Sequence, residues 1–146
     1  MAGNEHTAAI ACMHGGDAYP NLRGTVRFMP RKNGTLVVAE ISDLPATDTD
    51  FFAFHIHEGR NCSEVGFPNT GGHYNPKDRE HPLHAGDLPP LLSSGGSAYL
   101  AVMTDRFRVK DVIGRTVVIH SDPDDFRTQP SGGAGNKIAC GVIRRV

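Results

Sequence analysis

The sequence predicts an all-β chain, a sandwich or barrel of about eight short antiparallel strands. Three observations predict it. Short apolar or alternating runs recur along the chain, with turn chemistry between them. Gly 17 and Pro 10 in 146 residues supply many turns and loops. No stretch carries the period of a convincing amphipathic helix.

The strands follow in chain order. HTAAIACMH, residues 6–14, holds the apolar positions of the first. GTVRFMP, residues 24–30, sets Val26 and Phe28 against Arg27. KNG at 32–34 is a hairpin turn signal. TLVVAEISDLP, residues 35–45, is a long strand stopped by Pro45. FFAFHIH (51–57), SAYLAVMTD (97–105), RTVVIH (115–120) and KIACGVIRRV (137–146) complete the set. Two long segments, 58–96 and 121–136, interrupt this rhythm and are rich in Gly, Pro, Asn and Asp. Loops of that length in a compact domain are usually functional or disordered. The first carries many potential ligands, which favours function.

Length and composition bound the rest. A chain of 146 residues fits a single domain, 1–146, with one adequate core. Charged residues make up 21% and the formal net charge is −1, without the basic excess of a nucleic-acid binder. No apolar run approaches the roughly 20 residues that span a bilayer. The opening MAGNEHTAAIACMHGG lacks a basic n-region and an adequate h-region. The expectation is therefore a cytoplasmic protein, with export of a longer precursor as the alternative.

Chemistry concentrates in the histidines. In an extended AFHIHEG (53–59), His55 and His57 project from one face, with Phe54 and Ile56 on the other. Such a pair either sits on a solvent face or presents two metal-ligating nitrogens. The rest of the chain favours the second. His73, His81, His84 and Asp87 fall within 15 residues, and three imidazoles with a carboxylate suit a closed zinc site. His120 ends a strand and could join His55 and His57 in an all-nitrogen site of the kind that suits Cu(II). Taken singly, the loop residues His81, His84, Asp87, Asp124 and Asp125 read as solvated or turn-forming groups. His6 and His14 flank the first strand, have no sequence partner, and are expected to be exposed.

The three cysteines, Cys12, Cys62 and Cys140, fit no C-x-x-C motif. A long-range Cys62–Cys140 disulfide is open to the chain, although a reducing compartment would disfavour it. Cys12, within the first strand, is expected to be buried and inert.

HIHEG, GGHYNP, HAGDL, GRTVVIH and ACGVI, in that order, resemble the copper/zinc superoxide dismutase family from about Ala9 to Ile143. The resemblance implies a Greek-key β-sandwich or flattened barrel with two long functional loops. It implies an antioxidant oxidoreductase that disproportionates superoxide to oxygen and hydrogen peroxide, using copper and zinc. Copper would cycle between Cu(II) and Cu(I). His55, His57 and His120 match copper ligands, and His73 matches the histidine that bridges copper and zinc. His81, His84 and Asp87 match the remaining zinc ligands. Asp124 matches an aspartate joining ligands of the two metals. Cys62 and Cys140 match the disulfide, and Arg115 matches an arginine that supports the disulfide loop. The implied partners are a small anionic substrate, with a homodimer and a copper donor left open.

The sequence also departs from that pattern. Lys137, in NKIACGV, stands where the family has an arginine that guides the anion above copper. Lysine keeps the charge and loses the planar fork of donors, so catalysis at a reduced rate is expected. Residues 121–136 form a shorter loop than the charged guiding loop of eukaryotic members and hold no lysine. The His81–His84 spacing is short, and the Cys62–His73 spacing is longer than in eukaryotic forms. Two other readings compete: a non-enzymatic copper-binding or copper-handling protein of the same fold, and a structural sandwich that binds zinc only.

Overall fold

The computed structural model describes residues 6–146. Eight strands make one antiparallel sheet: β1 (Ala9–Gly15), β2 (Arg23–Arg31), β3 (Gly34–Ser42), β4 (Phe51–His57), β5 (Asp87–Leu92), β6 (Ala98–Thr104), β7 (Thr116–His120) and β8 (Lys137–Arg145). Their spatial order is β5-β4-β7-β8-β1-β2-β3-β6. β5 and β6 end that order, yet the chain joins them directly and Ser94 and Ser97 exchange backbone hydrogen bonds between them. The sheet thus curls into a nearly closed barrel. Jumps between β3 and β4 and between β6 and β7 make it a Greek key. One helical turn, α1 (Val109–Val112), precedes β7. Among the described residues no helix is long and apolar enough to cross a membrane.

Alternation drives the local structure. β1 buries Ala9, Ala11 and Met13 and leaves Cys12 and His14 outside. β2 and β3 turn at Lys32 and Asn33, so that Arg31 pairs with Gly34. The barrel core gathers Phe28, Phe52, Phe54, Ile56, Val117, Ile119 and Ile143. Apolar burial of this kind contributes roughly 25 cal/mol per Å² and is the main favourable term in folding.

Two expectations need correction. The segment 58–96 is not one loop, because it contains β5 and a short 3₁₀ turn at Pro68–Thr70. Pro89 and Pro90 disguise β5, since proline cannot donate to a sheet ladder. They are tolerated because the β4–β5 register slips between Phe52 and Phe54, where the two prolines fall. Cys12 is exposed, not buried. It shares the outward face of β1 with His14, which is exposed as expected, as is His6.

Candidate metal centre

β4 carries the site. Its even positions Phe52, Phe54 and Ile56 fill the core, and its odd positions put His55 and His57 on the opposite face. That face is not solvent: His55 is 0% and His57 2% exposed. The loops after β4 and β7 cover it. Register then brings in the partners. His57 forms an isolated bridge with His73, and His55 pairs with Asp87 at the start of β5. β7 lies beside β4 and ends at His120, which opposes Lys137 of β8.

Two groups of ligand atoms result, each within 4.8 Å: His55, His57, His73 and His120, and then His55, His73, His81 and Asp87. His84 adjoins the second group. Its Nδ1 lies 3.0 Å from His73 Nδ1 and 3.1 Å from Asp87 Oδ2. His73 Nδ1 is 2.7 Å from Asp87 Oδ1, and His81 Nδ1 is 3.0 Å from Asp87 Oδ2. All four residues expected from the loop thus meet around one carboxylate. His81 Nε2 carries its proton to Asp124, so its bare Nδ1 meets the Asp87 carboxylate lone pair to lone pair, and a cation between them resolves the repulsion.

Asp124 joins the two groups. Its Oδ2 lies 2.8 Å from His55 Nε2, and its Oδ1 2.8 Å from His81 Nε2. The carboxylate accepts a proton-bearing Nε2 from each ring, which leaves both Nδ1 atoms with free lone pairs. His55 Nδ1 and His73 Nε2 are buried and have no hydrogen-bond partner. His57 donates from Nδ1 to Gly71 O at 2.8 Å, which frees its Nε2, 3.2 Å from His120 Nε2. Buried nitrogens left without a partner are costly without a ligand. The donor set fits an imidazole-rich site for a copper-type ion next to a mixed imidazole–carboxylate site for zinc.

Electrostatics agree. Burial pushes His55, His57 and His120 below the usual imidazole range, His120 to about 3, and neighbouring imidazoles add to the effect at His57 and His120. Neutral imidazole is the form that ligates. At Asp124, burial acts upward but the hydrogen bonds from His55 and His81 outweigh it and hold the carboxyl at about 2. Each shift has the same consequence for the metal-free chain. As pH falls below about 6.5 the unfolded chain protonates His57 and His120 before the folded chain does, and below 3.8 the same holds for Asp124. The metal-free protein is therefore expected to lose stability steadily as pH falls from about 6.5 toward 2. Urea midpoints across that range check this, and a midpoint constant from pH 7 to 4 contradicts it.

Several supporting residues carry no sequence signal of their own. Gln129 clasps the backbone of His81, accepting from its N–H at 2.9 Å and donating to its C=O at 2.7 Å. Gly132 has φ +77°, and a Cβ there would collide with Asp124 Oδ1 and His81 Nε2. A glycine pair marks a turn, yet nothing in it reveals what the turn packs on. Arg115 donates to Glu58 O at 2.9 Å and lies 4.7 Å from the Tyr74 ring centre, just before the loop that carries Cys62. Cys62 and Cys140 form a disulfide. Lys137 Nζ donates to Thr70 Oγ1 at 2.7 Å and to Gly71 O at 3.1 Å. A cleft over the site is lined by His57, His73, His120, Glu58, Asp78 and Lys137 among others, and among the described residues Lys137 is the one lysine or arginine in its lining.

Residues 22–143 match the family described as copper/zinc superoxide dismutase. Superoxide dismutase [Cu-Zn] 2 of Aquifex aeolicus is 34% identical over 136 residues, 83% of this chain and 78% of that protein. Superoxide dismutase [Cu-Zn] of Deinococcus radiodurans is 33% identical over 151 residues, covering 89% and 81%. Among solved structures, a double mutant of a SOD-like protein from Bacillus subtilis superposes with TM-score 0.80 at 26% identity, covering 91% of this chain and 95% of that one. Cu/Zn superoxide dismutase from Brucella abortus does so with TM-score 0.78 at 25% identity, covering 92% and 98%.

Proposed function

The chain belongs to the copper/zinc superoxide dismutase family, and from that premise we propose how its own residues divide the work. It is an oxidoreductase that disproportionates superoxide to oxygen and hydrogen peroxide, with copper and zinc as cofactors. His55, His57, His73 and His120 hold copper. His73, His81, His84 and Asp87 hold zinc. His84 is preferred to His55 in the second set because Asp124 leaves His55 a single lone pair, at Nδ1, which the copper set uses, while His84 Nδ1 faces Asp87.

The observation that carries this reading is the position of His73. Its Nδ1 belongs to the carboxylate-centred group and its Nε2 is a buried orphan beside the other histidines. One imidazole thus serves both groups. Copper, when bound, supplies the one-electron couple that dismutation requires, and zinc supplies a redox-inert charge. The chain supplies the rest. Asp124 fixes the tautomers of His55 and His81. Gly71 O fixes that of His57. His73 Nε2 is the atom placed to hold a proton on its way to product peroxide. Lys137 presents the local positive charge to an anionic substrate entering the cleft, against Glu58 and Asp78. The Cys62–Cys140 disulfide supports an oxidising compartment, and with it the export alternative.

The test is superoxide dismutation by metal-loaded protein, with metal content measured on the same sample. Rapid turnover at about one copper and one zinc per chain supports the reading. Both metals bound without turnover refutes it in favour of a copper-handling protein. Lys137→Arg is expected to raise the rate constant at low salt by less than about 10-fold. The planar fork of arginine would meet the same hydroxyl and carbonyl, Thr70 Oγ1 and Gly71 O, and leave a donor for the anion. The gain should shrink as salt screens the field. Stopped-flow rates at two ionic strengths check it, and no change or a fall at low salt contradicts it.

A further inference from the structure

We propose that Cys12 is the attacking thiol of an intramolecular thiol–disulfide exchange site, with the Cys62–Cys140 disulfide as its partner. Cys12 and Cys140 lie on one outer face of the barrel, and Cys62 lies over that face. β1 and β8 are paired so that His14 opposes Cys140 and Ala11 opposes Ile143. Cys12 therefore sits diagonally from Cys140 on the same face, within the reach of neighbouring strand residues. The loop after β4 lies over this face. Its Phe67 and Cys62 pack on Val118 and Cys140 in a small cluster outside the main core, and its Phe67 ring meets His14 edge-on at 6.0 Å. At the margin of that cover a cavity opens, lined by Cys12 and His14 of β1, Val142 and Arg144 of β8, and Arg60 and Cys62 of the loop. The free cysteine is exposed and shares this cavity with Cys62, one of the two residues of the bond.

Accessibility sets the direction of attack. Cys140 is 0% exposed and Cys62 is only half-buried. The Cys12 thiolate attacks Cys62 Sγ. A Cys12–Cys62 bond forms, the Cys62–Cys140 bond breaks, and Cys140 leaves as a thiolate that takes up a proton. The proton that Cys12 released to solvent balances it. One disulfide and one thiol are present before and after, so no oxidant or reductant is required. The loop exchanges a tether to β8 for a tether to β1. Because the loop also carries Thr70 and the Gly71 carbonyl, which hold Lys137 and His57, exchange would shift the supports of the cleft.

The experiment uses metal-loaded, fully oxidised protein without added thiol. It is incubated anaerobically from pH 6 to 8, alkylated after an acid quench, and mapped by mass spectrometry of unreduced peptides. Alkylation should pass from Cys12 to Cys140 as a Cys12–Cys62 linked peptide accumulates. The rate should be independent of protein concentration and rise about tenfold per pH unit, as the thiolate is the attacking form. Cys12→Ser should leave metal content unchanged and abolish the new linkage. Alkylation confined to Cys12 at every time and pH overturns the proposal, as does a Cys12–Cys140 linkage. Cys140→Ser gives a second test, since an added disulfide oxidant should join Cys12 to Cys62 in a folded, monomeric product. Two free thiols in that product overturn the proposal as well.

Discussion

Asp87→Ala is expected to empty the zinc position while leaving copper largely in place. Asp87 is the only anion among the four residues assigned to zinc, and its oxygens lie within 3.1 Å of Nδ1 of His73, His81 and His84. Without it, three lone pairs converge with no negative charge to balance a dication. The loss should exceed about 10-fold in zinc affinity, since a direct ligand matters at least as much as the groups that orient ligands. The four-histidine group keeps every member. Metal analysis after dialysis against equal copper and zinc reads the result directly, and equal retention of both metals refutes the assignment. The thermal midpoint should fall as well, because metal binding to a loop-borne site contributes folding free energy.

Asp124→Ala should damage both positions at once, by about 10- to 100-fold in affinity. The carboxylate bonds His55 Nε2 and His81 Nε2 at 2.8 Å each, one ring from either group. Its removal leaves two buried N–H groups without an acceptor and frees both rings to change tautomer. Asp124→Asn is a sharper probe. An amide has one acceptor atom and one donor atom. It can satisfy one histidine, but it presents an N–H to the other and forces the wrong tautomer there. Asn should therefore rescue one metal more than the other, whereas Ala weakens both. Titration of metal-free protein with each ion separates the two outcomes. Wild-type affinity for both ions in the Ala variant would show that Asp124 does not orient the ligands.

Much of this was legible from residues alone. The H-x-H alternation of β4 sufficed to place His55 and His57 on one face, because strand geometry leaves a period of two no other option. It could not say that this face is buried, since burial comes from loops distant in sequence. β5 was hidden for a definite reason. Its DLPPLL carries two residues that cannot join a ladder, and only the register slip opposite Ala53 makes room for them. Ala53 instead donates to Asp122 O, in the loop that holds Asp124. The exposure of Cys12 was legible in part. His14 was expected outside, and residues two apart on a strand share a face, so Cys12 had to follow. The alanines of AAIAC obscured this, being small enough to suit either side. Gln129 and Gly132 act through backbone and through space, which no local motif records.

The same two prolines have a consequence for the protein in a crowded solution. A sheet that fails to close presents a row of unpaired amides, a template on which another chain can add a strand. Here the seam lies between β5 and β6. On its β5 side, Pro89 and Pro90 have no amide to offer, and Pro89 is exposed. The irregularity that hides the strand in the sequence also blunts the β5 edge of that seam against ordered aggregation.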